Sequence, residues 1–170
     1  MIRPILIHPD PRLKKVVPPL ADSSDALRKL ADDMLETMYD APGIGLAAPQ
    51  VGVLNRMFVM DCADAEDEPN PIVMLNPQIV AASDALGVYE EGCLSIPDIY
   101  AEVTRPAEVT MRWLDLNGNE QQADFDGLSA TCAQHELDHL DGKLFIDYLS
   151  TVKRSMITNK MKKLKRARAS

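Results

Sequence analysis

The clearest chemical signal in the chain is the pentad His135-Glu136-Leu137-Asp138-His139. It lies in a stretch of helical character, and residues four apart in a helix share one face about one turn apart. Both imidazoles can therefore point at one metal ion while the carboxylate between them reaches a water molecule. A solvated helix can carry this pattern by chance, but two of the three histidines of the chain fall within it. The pentad predicts a catalytic metal site with a general base beside it.

A catalytic ion usually has three protein ligands, so one more must be found. Cys132 lies one turn before His135, but the ion should lie roughly 6 to 7 Å farther along the axis at ~1.5 Å rise per residue. We interpret Cys132 as a packing or pocket residue.

Cys93, in the segment EGCLS, follows a glycine at the edge of an extended segment, and its thiolate would suit zinc or ferrous iron. Because a single cysteine in a strand is more often a small buried residue, these residues alone leave Cys93 open. The third histidine, His8, is expected to be an ordinary surface residue.

Residues 43–52, GIGLAAPQVG, combine small residues with one polar side chain. Glycines permit close approach of a substrate, and Gln50 can donate its amide to a developing oxyanion. The segment lacks the lysine and the spacing of a phosphate-binding loop. On its own it is typical of a turn after a helix.

Two helices are predicted around these candidates. Apolar residues recur at helical spacing over residues 27–38, where Ser24 can cap the helix and Pro42-Gly43 ends it. A second helical stretch, LSATCAQHELDHL, follows Asp126-Gly127 and ends near Gly142. The second helix carries the pentad.

The chain between residues 53 and 113 has the composition of strands. Short β-rich runs, RMFVMDC, IVMLN, AEVTRP and EVTMRW, are separated by turn-forming residues, and Asn117-Gly118 is a strong hairpin signal. The acidic segment from Asp64 to Pro71 is expected to be a solvated loop between strands. These patterns predict an α+β fold: a single domain with a central metal-binding helix packed against mixed or antiparallel β-sheets, plus an N-terminal and a C-terminal helix.

Composition narrows the class of protein. The 170 residues, 46% of them apolar, suit one globular domain. No run approaches the roughly 18 uninterrupted apolar residues of a membrane span, and the start of the chain carries prolines and charges where a signal peptide is apolar. The three cysteines, Cys62, Cys93 and Cys132, lack the spacing of a disulfide framework and indicate reduced thiols. We expect a cytoplasmic protein.

The formal charge of −8 is divided unevenly along the chain. Residues 151–170 contain eight basic residues and no acidic one, whereas the first 150 contain 10 basic and 26 acidic residues. The basic tail has helical character from about Thr151. We expect a catalytic metallohydrolase core over residues 1–150, extended within the same domain by a basic C-terminal helix over residues 151–170.

Three segments, GIGLAAPQVG, EGCLS and QHELDHLDG, in this order and at these separations, resemble the motifs of peptide deformylase, the enzyme that removes the formyl group from the initiator methionine of new bacterial proteins. The resemblance covers nearly the whole chain, including FIDYLS and the basic tail. In that family the middle motif supplies a thiolate ligand and the third motif supplies both histidines. The resemblance therefore implies that Cys93, His135 and His139 hold the metal.

The resemblance also implies roles in the reaction. Glu136 corresponds to the general acid and base of the family, Gln50 to the side-chain donor to the oxyanion, and Leu94 to the backbone amide donor to the same oxygen. Gly45 corresponds to a main-chain contact with the substrate. These four positions match the family motifs residue by residue.

A pocket for the methionine side chain is implied as well, lined by Ile44, Tyr89, Leu128 and Cys132. Tyr89 and Thr131 stand where aliphatic residues are common in the family, which bears on the shape of the pocket. Tyr100 stands where a basic, substrate-contacting residue is often found. Binding beyond the methionine is therefore expected to differ.

The cofactor and partners follow from the same resemblance. It implies one divalent ion, iron(II), for which zinc, nickel or cobalt can substitute. The substrates are N-formylmethionyl nascent polypeptides, and the basic C-terminal helix is expected to dock on the ribosome. We expect a monomer with no membrane partner.

Two other functions remain open from the residues alone. A zincin-type endopeptidase uses the same two histidines and glutamate, but it takes a third ligand downstream, where Asp141 is too near and Asp147 lies beyond a turn signal. A non-enzymatic RNA or ribosome binder would account for the basic tail. Cleavage of internal peptide bonds would indicate the endopeptidase, and strict dependence on an N-formyl group would indicate the deformylase.

Overall fold

The computed structural model of the chain describes residues 1–21 and 25–169. Over these ranges the chain forms three α-helices: Asp25–Asp40 (α1), Gly127–Leu140 (α2) and Thr151–Ala169 (α3). The strands are Gly45–Ala47 (β1), Met57–Met60 (β2), Ile72–Ala82 (β3), Leu86–Cys93 (β4), Ile96–Pro106 (β5), Glu108–Leu114 (β6) and Glu120–Asp126 (β7). The three predicted helices are confirmed, and the predicted cap Ser24 lies outside the described residues.

All strand pairs are antiparallel, which confirms the predicted α+β class. Five strands form one sheet in the order β1-β2-β3-β6-β7, and β4 and β5 form a separate two-stranded sheet. The Asn117-Gly118 turn joins β6 to β7, with Gly118 at a positive φ of 82°. The acidic segment from Asp64 to Pro71 lies exposed between β2 and β3, as predicted.

The five-stranded sheet is covered by a helix on each face, and β2 shows how the sequence specifies this. Side chains alternate between the two faces of a strand. Met57 and Val59 pack in the same cluster as the α1 residues, whereas Phe58 and Met60 pack in the cluster of the α2 residues. Because both faces are buried, β2 is continuously apolar and does not alternate with polar residues.

The β4-β5 sheet packs into a third cluster, with the 3-10 segment Phe145–Tyr148 and one side of α3. Met161 is the buried residue of α3 there. The N-terminal segment also reaches this helix, because His8 Nε2 lies 2.8 Å from Thr158 Oγ1. His8 is 5% exposed, so the prediction of a surface residue is wrong. Burial is the main cause that lowers the pKa of His8 to about 4, which leaves its ring neutral.

Candidate metal centre and active-site cleft

The centre of the site is α2, which is buried from Ala130 to its end except at the partly exposed Asp138. The rings of His135 and His139 lie edge to face with centroids 5.1 Å apart, as their four-residue spacing predicts. Cys93 comes from the end of β4, where the pairing with β5 shifts register between Gly92 and Cys93. Such an irregularity re-aims a side chain. It brings Cys93 Sγ to 3.4 Å from His139 Nε2.

These three side chains fit a divalent metal ion. Their ligand atoms all lie within 4.8 Å of one another. Donors around a tetrahedral ion at about 2.0 to 2.3 Å are roughly 3.5 Å apart, so a small rotation of the side chains would complete the geometry. One thiolate with two imidazoles suits zinc or ferrous iron. Cys132, which was interpreted as a packing or pocket residue, is not a member of this group among the described residues.

The orientation of His135 is held by a buried ion pair. Its Nδ1 donates to Glu91 Oε1 at 3.0 Å, which leaves Nε2 as the nitrogen that could bind a metal ion. Glu91 in turn accepts two hydrogen bonds from Arg105, from Nε at 2.7 Å and from Nη2 at 2.9 Å. Burial raises the pKa of Glu91, but the hydrogen bonds from Arg105 and His135 outweigh it and hold that pKa below its usual value. Glu91 is therefore a carboxylate acceptor.

The ion pair continues to the far end of α2. Arg105 Nη1 donates to Asp138 Oδ2 at 2.9 Å, and the hydroxyl of Tyr148 donates to the same oxygen at 2.7 Å. The guanidinium also lies 4.8 Å from the centre of the Tyr148 ring. These contacts connect β4, β5, α2 and the 3-10 segment behind the candidate metal ligands. Sequence reasoning missed this network: Glu91 and Asp138 stand inside recognised motifs, but nothing in the sequence marks Arg105 as their partner.

Glu136 occupies a very different environment on the same helix. It is 3% exposed, its Oε1 lies 3.8 Å from His135 Nε2, and its Oε2 has no hydrogen-bond partner among the described residues. Burial is the largest cause that raises the pKa of Glu136 to about 7, and the nearby His135 opposes the shift. A carboxyl group with this pKa can both accept and return a proton near neutral pH.

Gly45 explains why the first motif is rich in glycine. A Cβ atom at this position would lie 2.9 Å from Glu136 Cγ and 2.9 Å from Cys132 Sγ. No larger residue fits without displacing the carboxyl group. Strand β1 can therefore pass directly over the site because residue 45 has no side chain.

Gln50 lies in the 3-10 turn Ala48–Val51 that follows β1. Its Oε1 accepts from the backbone N–H of Ala47 at 2.9 Å, which fixes the amide so that Nε2 faces the second motif. There Nε2 donates to Ser95 Oγ at 3.0 Å and lies 3.5 Å from Cys93 Sγ. Leu94 is half-buried between these residues and packs on Gly43, where a Cβ would lie 2.8 Å from Leu94 Cδ1.

A cleft of about 420 Å³ opens over these groups. Of the predicted site residues, His139 alone does not line it and lies buried behind; the ten that do are Ile44, Gly45, Gln50, Tyr89, Cys93, Leu94, Leu128, Cys132, His135 and Glu136. Thr131 and Tyr100 line the cleft as well. The hydrophobic side chains at its mouth, Ile44, Tyr89 and Leu128, are partly exposed, whereas Cys132 is buried at its floor. The ring of Tyr100 covers Gly92, where a Cβ would lie 2.6 Å from Cε1.

Comparison with known proteins agrees with this arrangement. The family model described as polypeptide deformylase matches residues 2–155 of the chain. The chain belongs to the polypeptide deformylase family. As a deformylase it is a hydrolase of protein biosynthesis, which removes the N-formyl group from the formylmethionine of newly made proteins and releases formate. Family membership sets aside both the endopeptidase and the non-enzymatic RNA binder.

Relatives match over the full length of the chain. The peptide deformylase of Mesorhizobium japonicum is 55% identical over 168 residues, which are 99% of this chain and 96% of that protein. The crystal structure of a Legionella pneumophila deformylase, 46% identical, has a TM-score of 0.91 and covers 99% of this chain and 98% of its own. The Ehrlichia chaffeensis deformylase in complex with actinonin, 40% identical, has a TM-score of 0.92 and covers 97% and 98%. In the part of the chain that the structure describes, no helix has both the length and the apolar character needed to cross a membrane.

Proposed function

We propose that Cys93, His135 and His139 hold one divalent ion, iron(II), with zinc, nickel or cobalt as substitutes, and that Glu136 is the general acid and base of deformylation. The observation that carries this proposal is the convergence of three ligand atoms within 4.8 Å beside a buried carboxyl group with a pKa of about 7. The ion, when bound, supplies Lewis-acid chemistry, because it polarises the formyl carbonyl and lowers the pKa of a water molecule to about 7.

The proton transfers belong to Glu136. Its ionised carboxylate accepts a proton from water as the water oxygen adds to the formyl carbon. The protonated carboxyl group then returns the proton to the amide nitrogen as the C–N bond breaks. Formate and a free N-terminal amine leave. Glu136 Oε2, which is buried and has no competing hydrogen-bond partner among the described residues, is the atom suited to both transfers.

Two donors are proposed to stabilise the negative charge that gathers on the former carbonyl oxygen. They are the amide of Gln50 and the backbone N–H of Leu94. The Gln50 amide is held by Ala47, and one of its two N–H groups donates to Ser95. The other, which lies near Cys93 Sγ at 3.5 Å, is the group proposed to turn to the oxyanion. Donors fixed before the reaction begins cost no reorganisation in the transition state.

The substrate is proposed to bind along β1, which is an edge strand of the five-stranded sheet. An extended peptide can pair with the main chain of such an edge, here at Gly45. The methionine side chain then enters the pocket formed by Ile44, Tyr89, Leu128 and Cys132. Since a relative's structure is a complex with actinonin, we also propose that this cleft binds actinonin.

We also propose that α3 docks on the ribosome and that the protein works in the cytoplasm as a monomer. The proposal rests on the side chains of α3, of which Met161 is buried while most of the lysines and arginines are exposed. In this proposal, residues 1–150 form the catalytic core and α3 extends the same domain. Replacement of the exposed Lys160, Lys162 and Lys163 by glutamine keeps Met161 in its buried cluster; it should weaken co-sedimentation with ribosomes and leave the hydrolysis of a short peptide intact. Normal co-sedimentation of this variant would rule out this role.

The decisive experiment compares the wild type with Glu136→Gln, which keeps the shape of the side chain and all three proposed ligands. Each protein is purified anaerobically with ferrous iron, its metal content is measured, and formate release is followed with formyl-Met-Ala-Ser and acetyl-Met-Ala-Ser. We expect formate from the formyl peptide alone, and a much lower rate of its release with Glu136→Gln than with the wild type, although both proteins hold one ion. Equal activity of the two metal-loaded proteins would refute the role of Glu136.

A further inference from the structure

Two of the three cysteines meet behind the substrate cleft, away from Cys93. Cys62 follows the end of β2, and Cys132 is on α2. Both cysteines lie close to the carbonyl oxygen of Ile44. This oxygen accepts a hydrogen bond from the backbone N–H of Asp61, the residue before Cys62, at 2.8 Å, and another from the thiol of Cys132 at 3.6 Å. Cys62 packs against the buried cluster that contains Cys132, whereas Cys93 belongs to the cluster around β4 and β5.

The two thiols differ in access to solvent and in acidity. Cys62 is half-buried, and Cys132 is 4% exposed. A hydrogen bond with Cys132 is the main cause that lowers the pKa of Cys62; burial opposes it, and Ser129 adds a second hydrogen bond. The interaction with Cys62, together with burial, raises the pKa of Cys132. The carboxylates of Asp61 and Glu136 favour the protonated form of Cys62, and those of Glu136 and Glu91 favour the protonated form of Cys132.

Cys132 also forms part of the wall of the cleft. Its Sγ would lie 2.9 Å from a Cβ at Gly45, next to the Glu136 side chain. One side of this sulfur therefore borders the proposed methionine pocket, and the other side meets Cys62. Any movement of Cys132 Sγ toward Cys62 changes the floor of the pocket.

We propose that Cys62 and Cys132 form an oxidation site, at which hydrogen peroxide converts the two thiols into a disulfide that reshapes the methionine pocket. Redox-sensing cysteines are accessible thiols that stand next to a second, resolving cysteine, and this pair has that arrangement. In a reducing cytosol such a bond is transient. Neither cysteine belongs to the proposed metal ligands.

The chemistry balances in two steps. The Cys62 thiolate attacks peroxide, an S–O bond forms, the O–O bond breaks, and hydroxide leaves and takes up the proton that the Cys62 thiol released, to give water. The sulfur of Cys132 then attacks the resulting sulfenic acid, an S–S bond forms, the S–O bond breaks, and the departing hydroxide takes the Cys132 proton to give water. In total the two thiols lose two electrons and peroxide is reduced to two molecules of water.

The bond pulls Cys132 Sγ away from Ile44 and from the cleft wall. Because small displacements at a substrate site cost up to about 10²-fold in rate, we expect kcat/KM for formyl-Met-Ala-Ser to fall at least about tenfold. Dithiothreitol should restore it. The loss should be largest for substrates whose first side chain fills the pocket.

The test uses the nickel-loaded enzyme, so that oxidation of ferrous iron does not contribute. The wild type, Cys62→Ser and Cys62→Val are treated with stoichiometric peroxide, after thermal unfolding has shown that the variants fold. Activity is measured before and after dithiothreitol, and the treated proteins are digested without reduction for mass spectrometry. The two variants are matched controls, since Cys62 does not line the cleft.

A disulfide-linked peptide pair containing Cys62 and Cys132 in the wild type, with a reversible loss of activity that neither variant shows, would establish the site. The same loss of activity in both variants would overturn the proposal, because the sensitive thiol would then be another one. Peptide maps of the wild type with Cys62 and Cys132 both reduced, or with Cys93 oxidised in their place, would also overturn it, whether or not the variants fold.

Discussion

Two carboxyl groups lie beside the ring of His135, Glu91 near Nδ1 and Glu136 near Nε2, and their environments are opposite in character. Glu91 is paired with Arg105 and His135, and its pKa is held below the usual value. Glu136 is buried with one oxygen unpartnered among the described residues, and its pKa is raised to about 7. The first arrangement keeps a charge in place to orient a ligand, and the second keeps a proton mobile. Environment, and not residue type, separates the two roles.

The largest effect should come from replacing Glu136, the carboxyl group proposed to transfer the proton. Glu136→Gln should lower kcat/KM for formyl-Met-Ala-Ser by about 10²- to 10⁴-fold, the usual contribution of general acid–base catalysis. The wild-type rate should fall as pH decreases through the pKa of Glu136, because only the ionised carboxylate accepts a proton. A bound cation stabilises that anion, so this limb should lie below pH 7. The variant should lack this limb; an identical pH profile for the two proteins would contradict the assignment.

The ion pair of Glu91 and Arg105 should matter chiefly for the stability of the fold and for retention of the metal ion. Arg105→Met leaves the buried Glu91 and the partly buried Asp138 without their cation, and breaking a buried pair from one side costs about 3 to 5 kcal/mol. Loss of support for His135 should also weaken metal affinity by about 10- to 100-fold. Urea unfolding and competition with a chelator measure the two quantities.

A matched control sharpens this prediction. Arg112→Met removes a different arginine, which is 44% exposed and lies 3.6 Å from the exposed Glu120. Exposed pairs contribute about 0 to 1 kcal/mol, so this variant should unfold almost as the wild type does. If both variants were equally destabilised, the buried position of Arg105 would not be the cause.

The third prediction concerns the same substitution, Glu136→Gln, which should lower activity but raise the stability of the metal-free protein. The pKa of Glu136 is higher in the folded state than in the unfolded state. At pH values between the two pKa values, folding is therefore accompanied by uptake of a proton. Above pH 7 the buried group is a carboxylate, and its burial destabilises the metal-free fold. That penalty disappears as pH falls from about 7 toward the unfolded-state value. Glu136→Gln should therefore stabilise the metal-free protein at pH 8 by about 1 to 3 kcal/mol. Thermal unfolding at pH 8 and pH 5 should show a larger gain at pH 8; a loss at pH 8 would contradict the prediction.

The smallest effect concerns Tyr148, the exposed member of the network around Arg105. Tyr148→Phe keeps the ring beside Arg105 but removes the hydroxyl that donates to Asp138. Because Tyr148 is 49% exposed, water can replace the bond, and the cost should be about 0.5 to 1.5 kcal/mol in urea unfolding. A loss as large as that of Arg105→Met would mean that the tyrosine, and not the ion pair, holds the network.

Local periodicity was sufficient to predict part of this molecule. The spacing of His135 and His139 is a property of one helix, and the apolar stripe of α1 and the Asn117-Gly118 hairpin are equally local. Cys93 required the order of three motifs, because a lone cysteine in a strand has no local signature. The burial of His8 could not be foreseen, since it depends on α3, whose contact residue Thr158 lies 150 positions away.

The sequence by itself determined the helices, the α+β class, and the two histidines and the glutamate of the candidate site, because these depend on residue types at short, regular spacings. Cys93 followed only from the resemblance carried by three motifs. Only the tertiary structure decided which carboxyl group is charged. Glu91 and Arg105 meet across the β4-β5 hairpin, and both meet α2 only after the sheets have packed. The pKa of a carboxyl group depends on burial and on partners distant in sequence, so two glutamates of identical chemistry become an anchor and a proton carrier only in the folded protein.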